Sequence, residues 1–261
     1  MNKINKFIEK SYLTLIFLFL YLPIIVLIVF SFNESRIFGS WSGFTLSWYE
    51  KLLQDKEILN AVRTSLTVAS IATLVSTFIG TLASVGIVEY KKRTRRLLLG
   101  INDIPVLNPD IVIAISLMLL YGFFKIPRSY ITLILSHVAF TIPYVVLSVL
   151  PKVKMMDKNL IDAALDLGAT PIQAFFKVVL PEIKSGIISG AMLAFTLSLD
   201  DFVISFFTVR PGINTISTKV FSMTKRGVEP TINALSAIMF LVVLILLITV
   251  NILQNKKEKE N

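Results

Sequence analysis

Six apolar stretches, each long enough to cross the hydrocarbon core of a bilayer, leave this chain little choice of fold. They run 12–32, 64–88, 97–124, 129–150, 185–208 and 232–253, and a spanning helix needs roughly 20 such residues. In lipid the backbone must satisfy its own hydrogen bonds, so runs of this length and spacing read as helices. The expectation is an all-α, polytopic membrane protein with six transmembrane helices, forming a single transmembrane domain over 1–261. Composition agrees: 54% of residues are hydrophobic, 16% are charged, and the mean hydropathy is +0.75, well away from ordinary globular domains. No internal repeat or low-complexity tract interrupts the pattern.

The formal net charge is +9. In a soluble chain that would suggest nucleic acid; in a membrane chain Lys and Arg gather in loops that stay in the cytoplasm, so no nucleic-acid partner is expected. Lys3, Lys6 and Lys10 precede the first run without a small-residue cleavage pattern, which reads as an uncleaved signal anchor. Six crossings put both termini on one side. With that side inside, the inner segments carry sixteen Lys and Arg against ten in the outer ones, so both termini and the segment 151–184 are expected in the cytoplasm. Trp41, Trp48 and Tyr49 fall in an outer segment and read as interface-belt aromatics, or else as a docking surface for something external. The chain has no Cys and one His, which excludes disulfides and leaves no ligand cluster for a metal.

One stretch is out of keeping with its greasy neighbours. In "DAALDLGATPIQAFFKVVLP", 162–181, the spacing predicts two short amphipathic helices. Asp157 is a candidate N-cap, Ile161, Ala164, Leu165 and Gly168 recur at helical spacing, and Gly168 is the natural left-handed stop. Thr170, Pro171 and Gln173 then form a capping box with proline at the first helical position. Ile172, Phe175, Phe176 and Val179 make the second apolar stripe, and Pro181 is expected to exclude Leu180 from helical geometry and end the helix. Neither helix is long enough to stand alone in water, so each stripe needs a partner: either the protein's own transmembrane ends or another subunit.

The pattern Asp-Ala-Ala, a Gly six positions after the Asp, and a closing Leu-Pro closely resembles the cytoplasmic EAA loop of permease subunits of bacterial ABC importers. Asp162, Ala163, Ala164, Gly168, Leu180 and Pro181 fall on the family positions; Asp162 replaces the usual Glu and Val178 the usual Ile. "PDIVIAISL" (109–117), "LSLDDFVIS" (197–205) and "STKVFSMTKRGVEPTINALSAI" (217–238) resemble the narrower PotC-type family of spermidine/putrescine importer permeases, so the likeness covers essentially the whole chain. It implies the type I importer permease fold, with 151–184 as a coupling-helix loop seated in a groove of a cytoplasmic ATPase. It also implies a second, homologous permease subunit, two ATPase subunits and an extracytoplasmic polyamine-binding protein. No GxxxxGK[ST] pattern occurs in the chain, so it has no phosphate cradle of that kind. ATP and Mg would be bound by the partner, and this subunit is expected to be no enzyme and to carry no cofactor.

Charge placement points at the cargo independently. All 26 Lys and Arg lie outside the six runs, whereas Asp103, Asp110, Asp200 and Asp201 lie within them. A carboxylate at the bilayer centre costs roughly 2.5–3.5 kcal/mol on insertion scales, so such residues face a bundle interior or a wet cavity. An acidic interior without matching bases suits a small organic polycation, and Asp200, Asp201 and Asp110 are the candidate substrate-path residues. Asp200 and Asp201, about 100° apart on a helix, cannot both line one pore. One should meet the amine and the other bond a hydroxyl or backbone group, and the sequence leaves open which. Bonds from Asn102, Asn108, Ser198 or Ser205 would instead make the acids structural, the better reading for Asp103. Pro105 and Pro109 are expected to break the third run, and Pro143 to kink the fourth. His137 reads as a packed, hydrogen-bonded histidine, and Tyr144, Phe206 and Phe207 as packing aromatics with a possible cation–π use.

These features point to an inner-membrane permease subunit of an ATP-driven importer that moves polyamines inward by alternating access. The alternatives are an ABC permease for another cation or small metabolite, or a stand-alone secondary carrier of organic cations. A carrier would typically show corresponding broken helices in two halves and would leave the capped hairpin without a use.

Overall fold

The computed structural model describes residues 3–35, 39–157, 159–226 and 230–258, and every described element is helical apart from one isolated antiparallel bridge, Asn33 to Phe44. In chain order the helices are α1 (Lys3–Phe30), α2 (Ser47–Gln54), α3 (Lys56–Glu89), α4 (Lys92–Leu107), α5 (Asp110–Phe123) and α6 (Tyr130–Met155). Then follow α7 (Asn159–Asp166), α8 (Pro171–Glu182), α9 (Lys184–Asp200), α10 (Val203–Thr208), α11 (Ile216–Arg226) and α12 (Pro230–Glu258). The chain divides into two compact units, residues 1–59 with 219–261, and residues 60–218.

In the first unit α1 packs on α12, and α12 on α2. Between α1 and α2 the Asn33 side chain donates to the Ser40 carbonyl (2.7 Å) and accepts from the Ser42 N–H (3.0 Å). Trp48 is buried, its indole N–H donating to the Asn33 carbonyl at 2.8 Å. The Tyr49 hydroxyl pairs with Ser31 at 2.6 Å. These two aromatics therefore pin a loop, whereas the belt reading expected them at a lipid interface; Trp41 alone stays exposed. Lys219, buried on α11, is paired with Glu57 at the start of α3.

The second unit is organised around α6. Its start is fixed by a capping box in which Ser129 and Thr132 bond each other's backbone, and it runs without interruption through Pro143 and on past the expected end at 150 to Met155. Helices in lipid gain little from the hydrophobic effect and associate by close packing at small residues. Here α9 offers Gly186 and Gly190, one turn apart. A Cβ on Gly186 would lie 3.0 Å from the Ser148 carbonyl, and one on Gly190 would lie 3.2 Å from the Val145 Cα. On α3, Gly80 plays the same part: its Cβ would fall 2.7 Å from the Val145 side chain. Val145 is thus gripped from two sides by glycines. Deeper toward the hairpin, Val149, Val153, Val179, Ile183 and Ala194 continue the same core.

Among the described residues, three helical stretches are long and apolar enough to span alone, Lys10–Phe30, Lys56–Glu89 and Tyr130–Met155. The third expected run, 97–124, is not one straight span: α4 and α5 meet at 107°. Pro105 stays inside α4, so the break falls at Asn108 and Pro109, where the Asn108 side chain (2.7 Å) joins its own backbone N–H (3.2 Å) in donating to the Ile104 carbonyl. The fifth run, 185–208, is likewise divided, with α9 ending at Asp200 and α10 starting at Val203. The sixth lies in α12, whose described apolar stretch is Pro230–Ile245.

Candidate functional site

The hairpin 157–182 is built by its caps. The Asp157 carboxylate accepts the Asn159 N–H at 3.0 Å and opens α7. At the other end Gly168 adopts φ +86°, donating to the Leu165 carbonyl (2.9 Å) while Ala169 donates to the Ala164 carbonyl (3.0 Å). This pair of crossed bonds is a Schellman stop, which requires the left-handed backbone that glycine adopts without strain. Thr170 and Gln173 then close a reciprocal capping box at 3.3 and 3.0 Å, with Pro171 at the first helical position.

Beyond Ala174 the helix does not end as expected. Residues Phe175–Val179 form one π turn, Leu180 is fully helical (φ −62°, ψ −43°), and its N–H reaches the Phe175 carbonyl. In an α-helix the Pro181 ring would clash with the carbonyl four residues back, on Lys177. Widening that turn to π spacing relieves the clash, so the proline is absorbed and the helix continues to Glu182. The chain then bends by 71° into α9.

The apolar stripes divide in two. Ile161, Phe175 and the buried Val179 pack on Val149, Val153 and Ile183. Leu165, Leu167, Ile172 and Phe176 remain exposed, Leu167 at 89% and Ile172 at 71%, as do Asp162 and Ala163. Half of the hairpin is bedded on its own protein, and half presents an uncovered apolar face.

The second site is the break between α9 and α10. Asp200 ends α9, and Asp201 is extended (φ −61°, ψ 125°). The helical 100° relation between the two side chains therefore does not apply, because the helix stops between them. The Asp201 carboxylate turns inward. It accepts the Ile204 N–H at 3.1 Å and the Ser205 N–H at 2.7 Å, capping α10, and lies 3.5 Å from His137 Nε2 with its side chain only 5% exposed. Asp200 is exposed, and its carbonyl accepts from the Ser217 hydroxyl at 3.2 Å. Asp110 is exposed at the first position of α5. It stands on the same helical face as Ile113, Ala114 and Leu117, which pack with Phe140 of α6 and Ile204 of α10. Asp103, half-buried, accepts from its neighbour Asn102 at 3.2 Å. Tyr144 and Phe207 belong to the same packed cluster as Phe140, while Phe206 is exposed.

Over residues 76–259 the chain matches the family of the binding-protein-dependent transport system inner membrane component. It belongs to that family. The spermidine/putrescine transport system permease protein PotC of Escherichia coli (strain K12) is 36% identical over 258 residues, covering 99% of this chain and 98% of the relative. The putrescine transport system permease protein PotI of the same strain is 38% identical over 229 residues, covering 85% and 82%. Among solved structures, the bacterial alginate ABC transporter in complex with alginate pentasaccharide-bound periplasmic protein matches with a TM-score of 0.71 at 20% identity, covering 98% of each chain. That last likeness is one of fold. This inner-membrane component is accordingly a permease subunit of an ABC importer.

Two features were overlooked in the linear sequence. The spacing of Gly186 and Gly190 is the small-residue signature of tight helix packing and was there to be found. The meeting of His137 with Asp201 across more than sixty positions leaves no local signal.

Proposed function

We propose that this permease translocates polyamines, spermidine or putrescine, inward by alternating access, as one of two homologous permease subunits in a complex with two cytoplasmic ATPases and an external binding protein. The observation that carries the cargo is the pair of exposed carboxylates, Asp200 and Asp110, each at the end of a helix within an apolar segment that holds no Lys or Arg. Partly hydrated carboxylates at such breaks exchange water for ammonium groups without a large barrier to release. Asp201, whose oxygens are taken up by α10, adds its negative charge to the path from behind. The near-full-length likeness to polyamine permeases supports the same cargo.

Coupling is assigned to the exposed half of the hairpin. Asp162, Ala163, Ala164, Gly168, Leu180 and Pro181 shape it, and Leu165, Leu167, Ile172 and Phe176 offer the apolar contact that the ATPase groove would cover. ATP and Mg are bound by that partner, not by this chain. The termini and the hairpin are cytoplasmic in this reading, in keeping with the excess of Lys and Arg on that side.

The deciding experiment is radiolabelled spermidine uptake into proteoliposomes holding the complete complex and its receptor, with and without internal ATP. ATP-dependent uptake that falls at least about tenfold in Asp200→Asn, with assembly intact, is the expected result. Unchanged uptake in that variant would make the carboxylate structural, and no uptake by wild type would redirect the search to another cargo.

A further inference from the structure

His137 is the one histidine of the chain and is 1% exposed, two turns into α6. Nothing in the transport scheme above uses it, yet its ring meets every part of the α9–α10 break. Nδ1 lies 2.7 Å from the Ser198 hydroxyl on α9, and Nε2 lies 3.1 Å from the Ser205 hydroxyl on α10 and 3.5 Å from the Asp201 carboxylate between them. The carboxylate selects the tautomer: a lone pair on Nε2 would face negative charge, so the proton belongs on Nε2 and the Ser198 hydroxyl donates to Nδ1.

Packing of Ile204 with Ala114 and Phe140 and the bond from the Ser217 hydroxyl to the Asp200 carbonyl support the break from other sides, but the Asp201 turn itself is held by polar contacts. Helix α10 has six residues, too few to persist without tertiary support. Its first turn is capped by Asp201 alone, and Thr132 Oγ1 of α6 holds its last carbonyl, on Thr208, at 3.0 Å. If Asp201 swung out of its cap, α10 would lose the two bonds at its first turn, and the turn that fixes where Asp200 points would lose its hold.

We propose that His137 is a positioning residue for the cation path: through Nε2 it keeps Asp201 in its capping role, and through Nδ1 it anchors the end of α9, so that Asp200 faces the substrate. This rests on the polyamine reading of Asp200 given above. A packing role alone would require only the ring's volume. The positioning role requires an N–H at the Nε2 position, which a glutamine side chain supplies and an alanine or leucine does not.

The test measures spermidine imported per ATP hydrolysed by the reconstituted complex with loaded receptor, for wild type, His137→Ala, His137→Leu and His137→Gln. Lost assembly lowers import and hydrolysis together and leaves that ratio alone, whereas misplacement of Asp200 lowers the ratio. We expect a fall of about tenfold in His137→Ala and His137→Leu, and recovery to within about threefold of wild type in His137→Gln. Asp201→Asn should add little to His137→Ala, because the two act through one contact, while Asp200→Asn should add its full effect. An unchanged ratio in His137→Ala, or a His137→Gln as poor as His137→Leu, overturns the proposal. Should His137→Ala fail to assemble, Ser198→Ala and Ser205→Ala carry the test, and a normal ratio in both overturns it equally.

If wild type imports no spermidine, the polyamine reading falls first. The chain has no cysteine, so a single Asp200→Cys labelled by a cationic thiol reagent then decides the inference by itself. A labelling rate altered by His137→Ala upholds the positioning role, and an unaltered rate overturns it.

Discussion

The capped hairpin and the α9–α10 break each stop a helix, but by opposite means. At Gly168 the stop is local: one left-handed residue, crossed backbone bonds to Ala164 and Leu165, and a capping box three positions on. At Asp201 the stop is held from outside, by a carboxylate reaching forward to α10 and a histidine reaching over from α6. The first can be read from twenty consecutive letters. The second exists only once α6, α9 and α10 are packed, and it should be correspondingly more sensitive to distant substitutions.

The largest expected effect lies at the hairpin's uncovered face. Leu167→Asp or Phe176→Asp should leave the protein in the membrane and reduce receptor-stimulated ATPase activity by at least about a hundredfold, because a charge is placed in the centre of an apolar contact. Stimulation within a few-fold of wild type would remove coupling from this surface. Gly168 sharpens the point, since no atom lies within 4 Å of where its Cβ would be. Only backbone strain opposes a side chain there, so Gly168→Val should uncouple the complex while Gly168→Asn, tolerant of the left-handed region, should retain most activity.

The break supplies the next test. Single cysteines at 200 and 201 should differ in reaction with a soluble cationic thiol reagent by at least about tenfold in favour of Asp200→Cys, following their exposure; equal rates would mean that the two carboxylates share one environment. A smaller loss is expected at the α6–α9 contact. Gly186→Ala places a methyl against the Ser148 carbonyl and should cost about 1–3 kcal/mol by overpacking, read as a lowered midpoint of thermal unfolding in detergent. The smallest belongs to the hairpin again, where Thr170→Ala removes one cap worth about 1 kcal/mol and should lower coupled ATPase activity only slightly.

Much of the fold was legible because lipid restricts the choices. The six apolar runs anticipated the long helices, and the caps at Asp157, Gly168, Thr170 and Gln173 fell where their chemistry demands. Reading failed where a local rule met a tertiary remedy. Pro181 should have ended a helix, but a π turn over Phe175–Val179 absorbs it. Pro105 should have broken α4, yet the break waits for Asn108 and Pro109. Trp48 and Tyr49 read as belt or docking aromatics because nothing in their neighbourhood announces Asn33 and Ser31 as partners. The acids were found by counting charges, but their division into an exposed Asp200 and an engaged Asp201 depends on the ring of His137.

The uninterrupted run of α6 through Pro143 gives the second unit a lever. One end, at Val149 and Val153, is bedded under Phe175 and Val179 of the hairpin, and the other carries His137, sixteen residues or about 24 Å away from Val153. Glycines on α3 and α9 close on Val145 between those ends and serve as its fulcrum. With His137 eight residues or about 12 Å from that point, a tilt of about 10° displaces the imidazole by about 2 Å. A shift of that size exceeds the tolerance of its hydrogen bonds to Ser198 and Ser205 and would alter its contact with Asp201. Through one helix the bedding of the hairpin and the setting of the Asp201 carboxylate become parts of a single mechanical element.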